Sequence, residues 1–453
     1  VAILVFWPAI AGLQALAEAP SARPKRPNVV FLLADDLRAD AIGALGRGIV
    51  KTPNLDQIVQ SGFVFNRAYC LGANSGAVCL PSRNMILSGN AYFRWNGRHA
   101  SGDAPNFPLS LEAAGYQTYH HGKHGNVAIE IEKRFQQVHY LKDDQERRTG
   151  QPGKTIVDAA AQFLQSGRDG RPFFLYLAFE APHDPRVADK AYLDLYDPTK
   201  IPLPDNYLPI HPFDNGEMTV RDEGLAPWPR SESEIRRHLH EYYAVISGLD
   251  FHIGRLIQRL KDLGEYDNTI FIISSDHGLA IGSHGLMGKQ SLYEHSMRSP
   301  LVFAGPGIPK GRSDALVYLL DIYPTICELT GAKVPERIDG RSLALIIHGQ
   351  AKSVRDSLFL SYQDVQRAVT DGRWKLIRYP KINRSQLFDL KNDPDERHDL
   401  TGSGSGQQTE RIEQLMTLMT QWQHQLGDPA PLSTATPANP VFTPPVSTAD
   451  PHP

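Results

Sequence analysis

Val29-Val30-Phe31-Leu32-Leu33-Ala34-Asp35-Asp36 is an apolar run that stops on two carboxylates, and it decides the fold because the chain repeats the design twice. Phe173 to Phe179 ends at Glu180-Ala181-Pro182-His183, and Thr269 to Ser274 ends at Ser275-Asp276-His277-Gly278. Short apolar runs without polar alternation read as strands covered on both faces, the mark of a mostly parallel sheet between helical layers. Ligands of such sheets bind beyond the carboxyl ends of the strands. The pattern therefore gathers three polar clusters, far apart in sequence, at one edge.

Between the runs lie helical stretches. Thr155 to Gln165 is one, and Tyr242 to Leu263 is the clearest, with Ile246, Leu249, Ile253, Leu256, Ile257 and Leu260 at helical spacing and Gly264 as a stop. Val317 to Thr330 reads similarly, with Cys327 as a core residue. From about Ser353 the texture changes to short strand-like pieces, Ser357 to Tyr362, Gln366 to Thr370 and Trp374 to Tyr379, with Asp371-Gly372 as a hairpin signal. A further amphipathic helix follows at Thr409 to Gln425. The expected class is thus α/β: a large mixed, mostly parallel sheet flanked by helices in a unit spanning 27–350, then a smaller C-terminal subdomain, 351–427, of antiparallel sheet plus helix. After Gly427 the Pro, Thr and Ser content rises and periodicity vanishes, so 428–453 is expected to be a disordered tail.

A chain of 453 residues buries one large core and a smaller one. With 41% apolar and 21% charged residues and a formal charge of −3 it carries no basic excess, which excludes a general nucleic-acid binder and makes any anion binding local. Ile3 to Leu16 is an apolar run ending in small-x-small pairs, read as a signal peptide over 1–19 and hence export; it is too short to span a membrane. Cys70, Cys79 and Cys327 are the only cysteines. If Cys79 is modified, at most one disulfide remains.

Asp35, Asp36 and Asp276 at neighbouring strand ends cannot all stay ionised without cations, so they predict a hard divalent ion, Ca2+ or Mg2+, or strong basic partners. Cys79-Leu80-Pro81-Ser82-Arg83, continued by Leu87-Ser88-Gly89, places a thiol at a helix start, with Pro81 in the first turn leaving orphan N–H groups for an anion and Arg83 beside it.

These residues resemble the activation motif of the type I sulfatases, C-x-P-S-R-x-x-x-L-[ST]-G, in the alkaline phosphatase-like superfamily. The resemblance runs from about Asn28 to Leu400. It includes Gly285-Leu286-Met287-Gly288-Lys289, Tyr293-Glu294, Arg298-Ser299-Pro300, Leu387-Phe388-Asp389-Leu390 and Asp393-Pro394-Asp395-Glu396. It implies that a separate maturing enzyme oxidises Cys79 to formylglycine, whose hydrate is the nucleophile and a metal ligand with Asp35, Asp36, Asp276 and His277. Arg83 then steadies the hydrate and the sulfate, Lys123 and Lys289 bind sulfate, and His183 or Lys289 protonates the departing alcohol. The attack leaves a sulfated enzyme, from which the second geminal hydroxyl expels sulfate.

Two departures from the family pattern stand out. Gly-Lys-x-His is here Gly122-Lys123-His124-Gly125-Asn126, so either His124 or Asn126, or neither, takes the histidine's place. His277 stands where many members have Asn, which leaves Ca2+ and Mg2+ both open. For the rest of the substrate, Arg94, Trp95, Arg98 and His99, and later His211, Arg221, Trp228 and Arg230, mix cations with aromatics; Arg94, His99 and Arg221 are the expected contacts to a sulfated polysaccharide or its oligosaccharides. The rival readings are a phosphonate monoester hydrolase or phosphodiesterase of the same superfamily, and a non-catalytic sulfated-glycan binder.

Overall fold

The computed structural model describes residues 1–3, 26–142, 145–402 and 406–445. Most of the expected signal peptide therefore lies outside the described residues. The three apolar runs form Asn28–Ala34, Phe173–Ala178 and Thr269–Ser275, side by side and parallel at the centre of an eight-stranded sheet. Gln117–Gly122 and Gln137–Tyr140 extend it in parallel beyond Phe173–Ala178. On the other flank Leu301–Ala304 runs antiparallel to Thr269–Ser275 and to Phe63–Phe65, and Gly311–Ser313 closes the edge. The sheet is mixed and mostly parallel, as expected.

Alternation along Asn28–Ala34 divides the interior. Val29, Phe31 and Leu33 enter one core with Met85, Ile86 and Phe174, whereas Val30, Leu32 and Ala34 enter another with Leu239, Ile246 and Leu249. The second core is roofed by Lys154–Ser166 and by Glu232–Asp262, which begins ten residues before the expected start. Ser231 caps it by accepting from the Glu234 amide, and Ile235 and Leu239 carry its apolar stripe back into a charge-rich turn. Val317 to Thr330 is not one helix: Val317–Tyr318 is a strand and Ile322–Thr330 the helix, separated by a turn in which Asp321 accepts from the Tyr318 amide. Cys327 is buried there, and all three cysteines are free.

The expected antiparallel sheet is present as Leu358–Tyr362, Gln366–Thr370, Trp374–Tyr379 and a fourth strand, Arg384–Asp389, followed by the helix Gly406–Leu426. Gly72–Ala73 from the first half of the chain adds a parallel fifth strand. A Cβ on Gly72 would lie 1.8 Å from the Ser361 carbonyl oxygen, so only glycine allows this approach. The tail expectation is corrected over 428–445. Asp428 pairs with buried Arg367 at 2.6 Å, the Pro440 carbonyl accepts from the Asp214 amide, and Phe442 packs on Trp228. Low apolar periodicity misled here because side-chain caps and main-chain bonds, not an amphipathic stripe, hold the segment. Residues 446–453 lie outside the described residues.

Candidate active site

Main-chain hydrogen bonds at the strand ends bring the polar clusters to one place. The Asp35 amide donates to the Ala181 carbonyl, the Asp276 amide to that of Ala34 and the Lys123 amide to that of Ala178. Consecutive strand residues point to opposite faces, yet both Asp35 and Asp36 face the cluster, because Asp36 takes a left-handed backbone with φ of 68°. That conformation costs a non-glycine residue about 1 kcal/mol and marks a turn held by its surroundings. Here the Asp36 amide donates to Asp276 Oδ1 at 3.2 Å and the Tyr242 hydroxyl donates to the Asp36 carbonyl at 2.7 Å.

Cys79 opens the helix Cys79–Ser88, which is buried throughout and ends at Gly89 in the left-handed region. Its Sγ lies 3.2 Å from Asp35 Oδ1, 3.2 Å from His277 Nε2 and 3.5 Å from Lys289 Nζ. Arg83, one turn on, meets Asp276 through Nε at 2.9 Å and Asp35 through Nη2 at 3.4 Å. Lys123 pairs with Asp35, and Lys289 with Asp36 at 2.9 Å. Ser82 donates to the Asp276 carbonyl at 2.6 Å, fixing the helix start to the strand end.

The electrostatics follow from this packing. Burial raises a carboxyl, but Lys123 and Arg83 outweigh it and hold Asp35 well below the usual carboxylate range. Burial, then the Asp35 charge, pushes the Cys79 thiol well up. An unconverted Cys79 is therefore a protonated, poor nucleophile. Burial alone would lower Lys289, yet Asp36 and the neighbouring acids raise it well above the usual lysine value.

Two overlapping donor sets, Asp35 with Cys79, Asp276 and His277, and Asp35 with Asp36, Cys79 and His183, each lie within 4.8 Å. Buried carboxylates suit a hard divalent cation, and His277 adds a nitrogen, so the residues fit such an ion without choosing between Ca2+ and Mg2+. The Cys79 Sγ stands in for the oxygen of the converted side chain.

Of the sequence-derived site residues, Asp35, Asp36, Cys79, Arg83, Lys123, His183, Asp276, His277 and Lys289 come together. His183 sits at the rim, its Nε2 3.9 Å from Asp36. His124 stands apart: it is exposed and packs edge-on against Tyr140, because the shortened turn after Lys123 swings it outward. Asn126 is exposed too. Arg94 is corrected as a substrate contact, since it pairs with Asp339 at 2.8 Å and donates to the Gln425 and Leu426 carbonyls, tying down the end of the C-terminal helix. His99 is half-buried, with Nδ1 unpaired among the described residues. His211 is buried under Tyr293, and the Trp228 face is taken by Arg230, so neither offers a sugar platform. Arg221 does lie at the rim, but joined to Asp184 and Asp222. Those two acids were missed; the only signal for them was adjacency, of Asp184 to His183 and of Asp222 to Arg221.

A family model described as Sulfatase matches residues 27–332, and one described as N-sulphoglucosamine sulphohydrolase, C-terminal, matches 282–425. The chain belongs to the sulfatase family. It is 27% identical to an N-acetylglucosamine-6-O-sulfatase of Bacteroides thetaiotaomicron over 92% of this chain and 91% of that protein. It is 25% identical to an arylsulfatase of Clostridium perfringens over 87% and 94%. Among solved structures, a protein in complex with its substrate D-glucosamine-2-N,6-O-disulfate superposes with a TM-score of 0.76 at 24% identity, covering 90% of this chain and 99% of that one. A phosphonate monoester hydrolase from Silicibacter pomeroyi gives 0.73 at 23%, over 89% and 96%. At these identities the structural likenesses speak for the fold alone.

Proposed function

We propose that the protein is an exported sulfatase that hydrolyses sulfate esters on a sulfated polysaccharide or its oligosaccharides. It uses Ca2+, with Mg2+ as the alternative, and a formylglycine made from Cys79 by a separate maturing enzyme. The observation that carries this reading is the convergence of three buried carboxylates and three buried cations on one buried cysteine. Arg83, Lys123 and Lys289 offset Asp35, Asp36 and Asp276, so a bound divalent ion leaves the site net positive, the sign a sulfate monoester needs. The N-acetylglucosamine-6-O-sulfatase among the sequence relatives supports the substrate class. Export rests on the apolar run Ile3 to Leu16. No described helix is long and apolar enough to cross a membrane.

Asp35, Asp36, Asp276 and His277 hold the ion in this reading. When bound, the ion polarises the sulfate oxygens, and the converted Cys79 supplies the attacking hydroxyl. Arg83, locked by Asp276, keeps its charge fixed against the reacting group. Lys123 and Lys289 bind sulfate oxygens and stabilise charge as it moves to the leaving oxygen. His183 has Nδ1 committed to the Asp184 carbonyl at 2.6 Å, which can only accept, so Nε2 faces the cleft. His183 or Lys289 then protonates the departing alcohol.

Released sulfate from a panel of sulfated glycans, set against phosphate and phosphonate release from matched aryl esters, tests the reading and its phosphonate-hydrolase rival. Intact mass of the maturase-treated protein should fall by about 18 Da on conversion of the thiol. An unconverted Cys79 with no sulfate released from any ester would leave a glycan binder instead.

A further inference from the structure

The two groups at the leaving-group side of the cleft sit on segments far apart in sequence, His183 after the strand Phe173–Ala178 and Lys289 after Thr269–Ser275. Those two strands are not paired directly but flank Asn28–Ala34, and among the described residues no strand pairing joins the two segments beyond the strand ends. On the buried side the Asp36 carboxylate touches both, 3.9 Å from His183 Nε2 and 2.9 Å from Lys289 Nζ, and at the cleft mouth the exposed Arg221 joins the acids that face them. Arg221, 58% exposed at the cleft mouth, pairs through Nη2 with Asp184 and through Nη1 with Asp222 at 2.7 Å. Each acid then faces one of the two groups. Asp184 Oδ1 is 3.6 Å from His183 Nδ1, and Asp222 Oδ2 is 4.0 Å from Lys289 Nζ. Gln290 fixes Asp222 from the far side, its Nε2 donating at 2.8 Å.

The turn that carries Arg221 is itself built into the Lys289 segment. Glu223 accepts from the amides of Met287 and Gly288, the latter at 2.8 Å, and is held by buried Arg230. A Cβ on Gly288 would lie 2.8 Å from Asp222 Cβ, so the two segments meet without clearance. Arg147, donating to Glu180 at 2.6 Å and to the Asp184 carbonyl at 3.0 Å, holds the His183 side in the same way. Burial would raise Asp184 and Asp222, yet their cationic neighbours keep both below the usual carboxylate range.

We propose that Asp184, Arg221 and Asp222 form a strap that sets His183 and Lys289 at a fixed separation, so that Asp184 and Asp222 are positioning residues for protonation of the leaving alcohol and Arg221 is their link rather than a substrate contact. This rests on the sulfatase reading above. It accounts for an arginine at the cleft mouth whose charge is spent on two acids of its own chain. It also separates the two halves of the chemistry: sulfate binding by Lys123 and Arg83 does not pass through the strap, whereas proton delivery does.

The test is the leaving-group dependence of mature enzyme carrying Asp222→Asn, Asp184→Asn or Arg221→Met, measured with 4-nitrophenyl sulfate, whose phenolate departs readily, and phenyl sulfate, whose phenolate needs a proton. Misplaced proton donors should slow phenyl sulfate about tenfold or more while 4-nitrophenyl sulfate stays within about threefold, the smaller part of what a general acid contributes. Arg221→Met removes an exposed side chain and guards against a folding defect in the acid variants, and Asp222→Glu should restore most of the phenyl sulfate rate. Equal losses on both esters, or none on either, would overturn the strap while the sulfatase reading stands. A mature wild-type enzyme that releases no sulfate from these esters or from the sulfated-glycan panel would overturn the sulfatase reading, and the strap with it.

Discussion

The site has two halves held in different ways. Asp35, Asp36 and Asp276 stand at the ends of adjacent parallel strands, fully buried, their spacing set by the register of the main sheet. His183, Lys289, Asp184, Asp222 and Arg221 sit on turns, tied to one another by side chains and in part open to solvent. A strand-end group cannot move without breaking a ladder whose other members lie in two cores. A turn group depends instead on the ion pairs and side-chain caps around it. The first half is suited to holding charge rigidly, the second to the proton delivery proposed above.

Cys79→Ser acts at the helix start that packs against the strand-end half, and carries the largest effect. Turnover should fall by about 10⁴-fold or more, because no second hydroxyl remains to expel sulfate, with metal content by mass spectrometry unchanged. Asp276→Asn comes next. It removes an expected ion ligand and frees Arg83, so kcat should drop on the order of 10³-fold on every ester alike, with metal lost. A loss that depends on the leaving group would blur the division between halves. Lys289→Ala, on the turn side, should cost about 10²-fold and weigh more on poor leaving groups. Arg94→Ala serves as the baseline: with its guanidinium engaged by Asp339 and the end of the C-terminal helix, activity should stay within about twofold and stability fall by less than about 1 kcal/mol in denaturant unfolding. A large rise in KM there would restore it as a sugar contact.

The same division decides what was legible in the sequence. A buried strand announces itself by an unbroken apolar run, and the residue that ends it is thereby placed, so Asp35, Asp36 and Asp276 were readable before any coordinates. The Cys79 motif was readable because the whole pattern from Cys79 to Gly89 resembles the family's activation motif; a Pro-started helix alone would not have singled it out. Turn residues carry no such period. Asp184 and Asp222 looked like ordinary loop acids, and Arg221 and Arg94 looked equivalent, although one lies at the cleft and the other pins a helix end. His124 drew attention through its place after Lys123, but one missing residue in a turn redirects a side chain entirely. The tail failed for a related reason: Pro-rich sequence lacks periodicity whether it is free or docked.

That docked tail ties the far end of the chain to the cleft. Phe442 rests on Trp228, Trp228 carries Arg230, and Arg230 clasps the Glu223 that grips the Lys289 segment. Trimming the protein at residue 428 for expression or crystallisation would thus strip a buttress from the segment that carries Lys289.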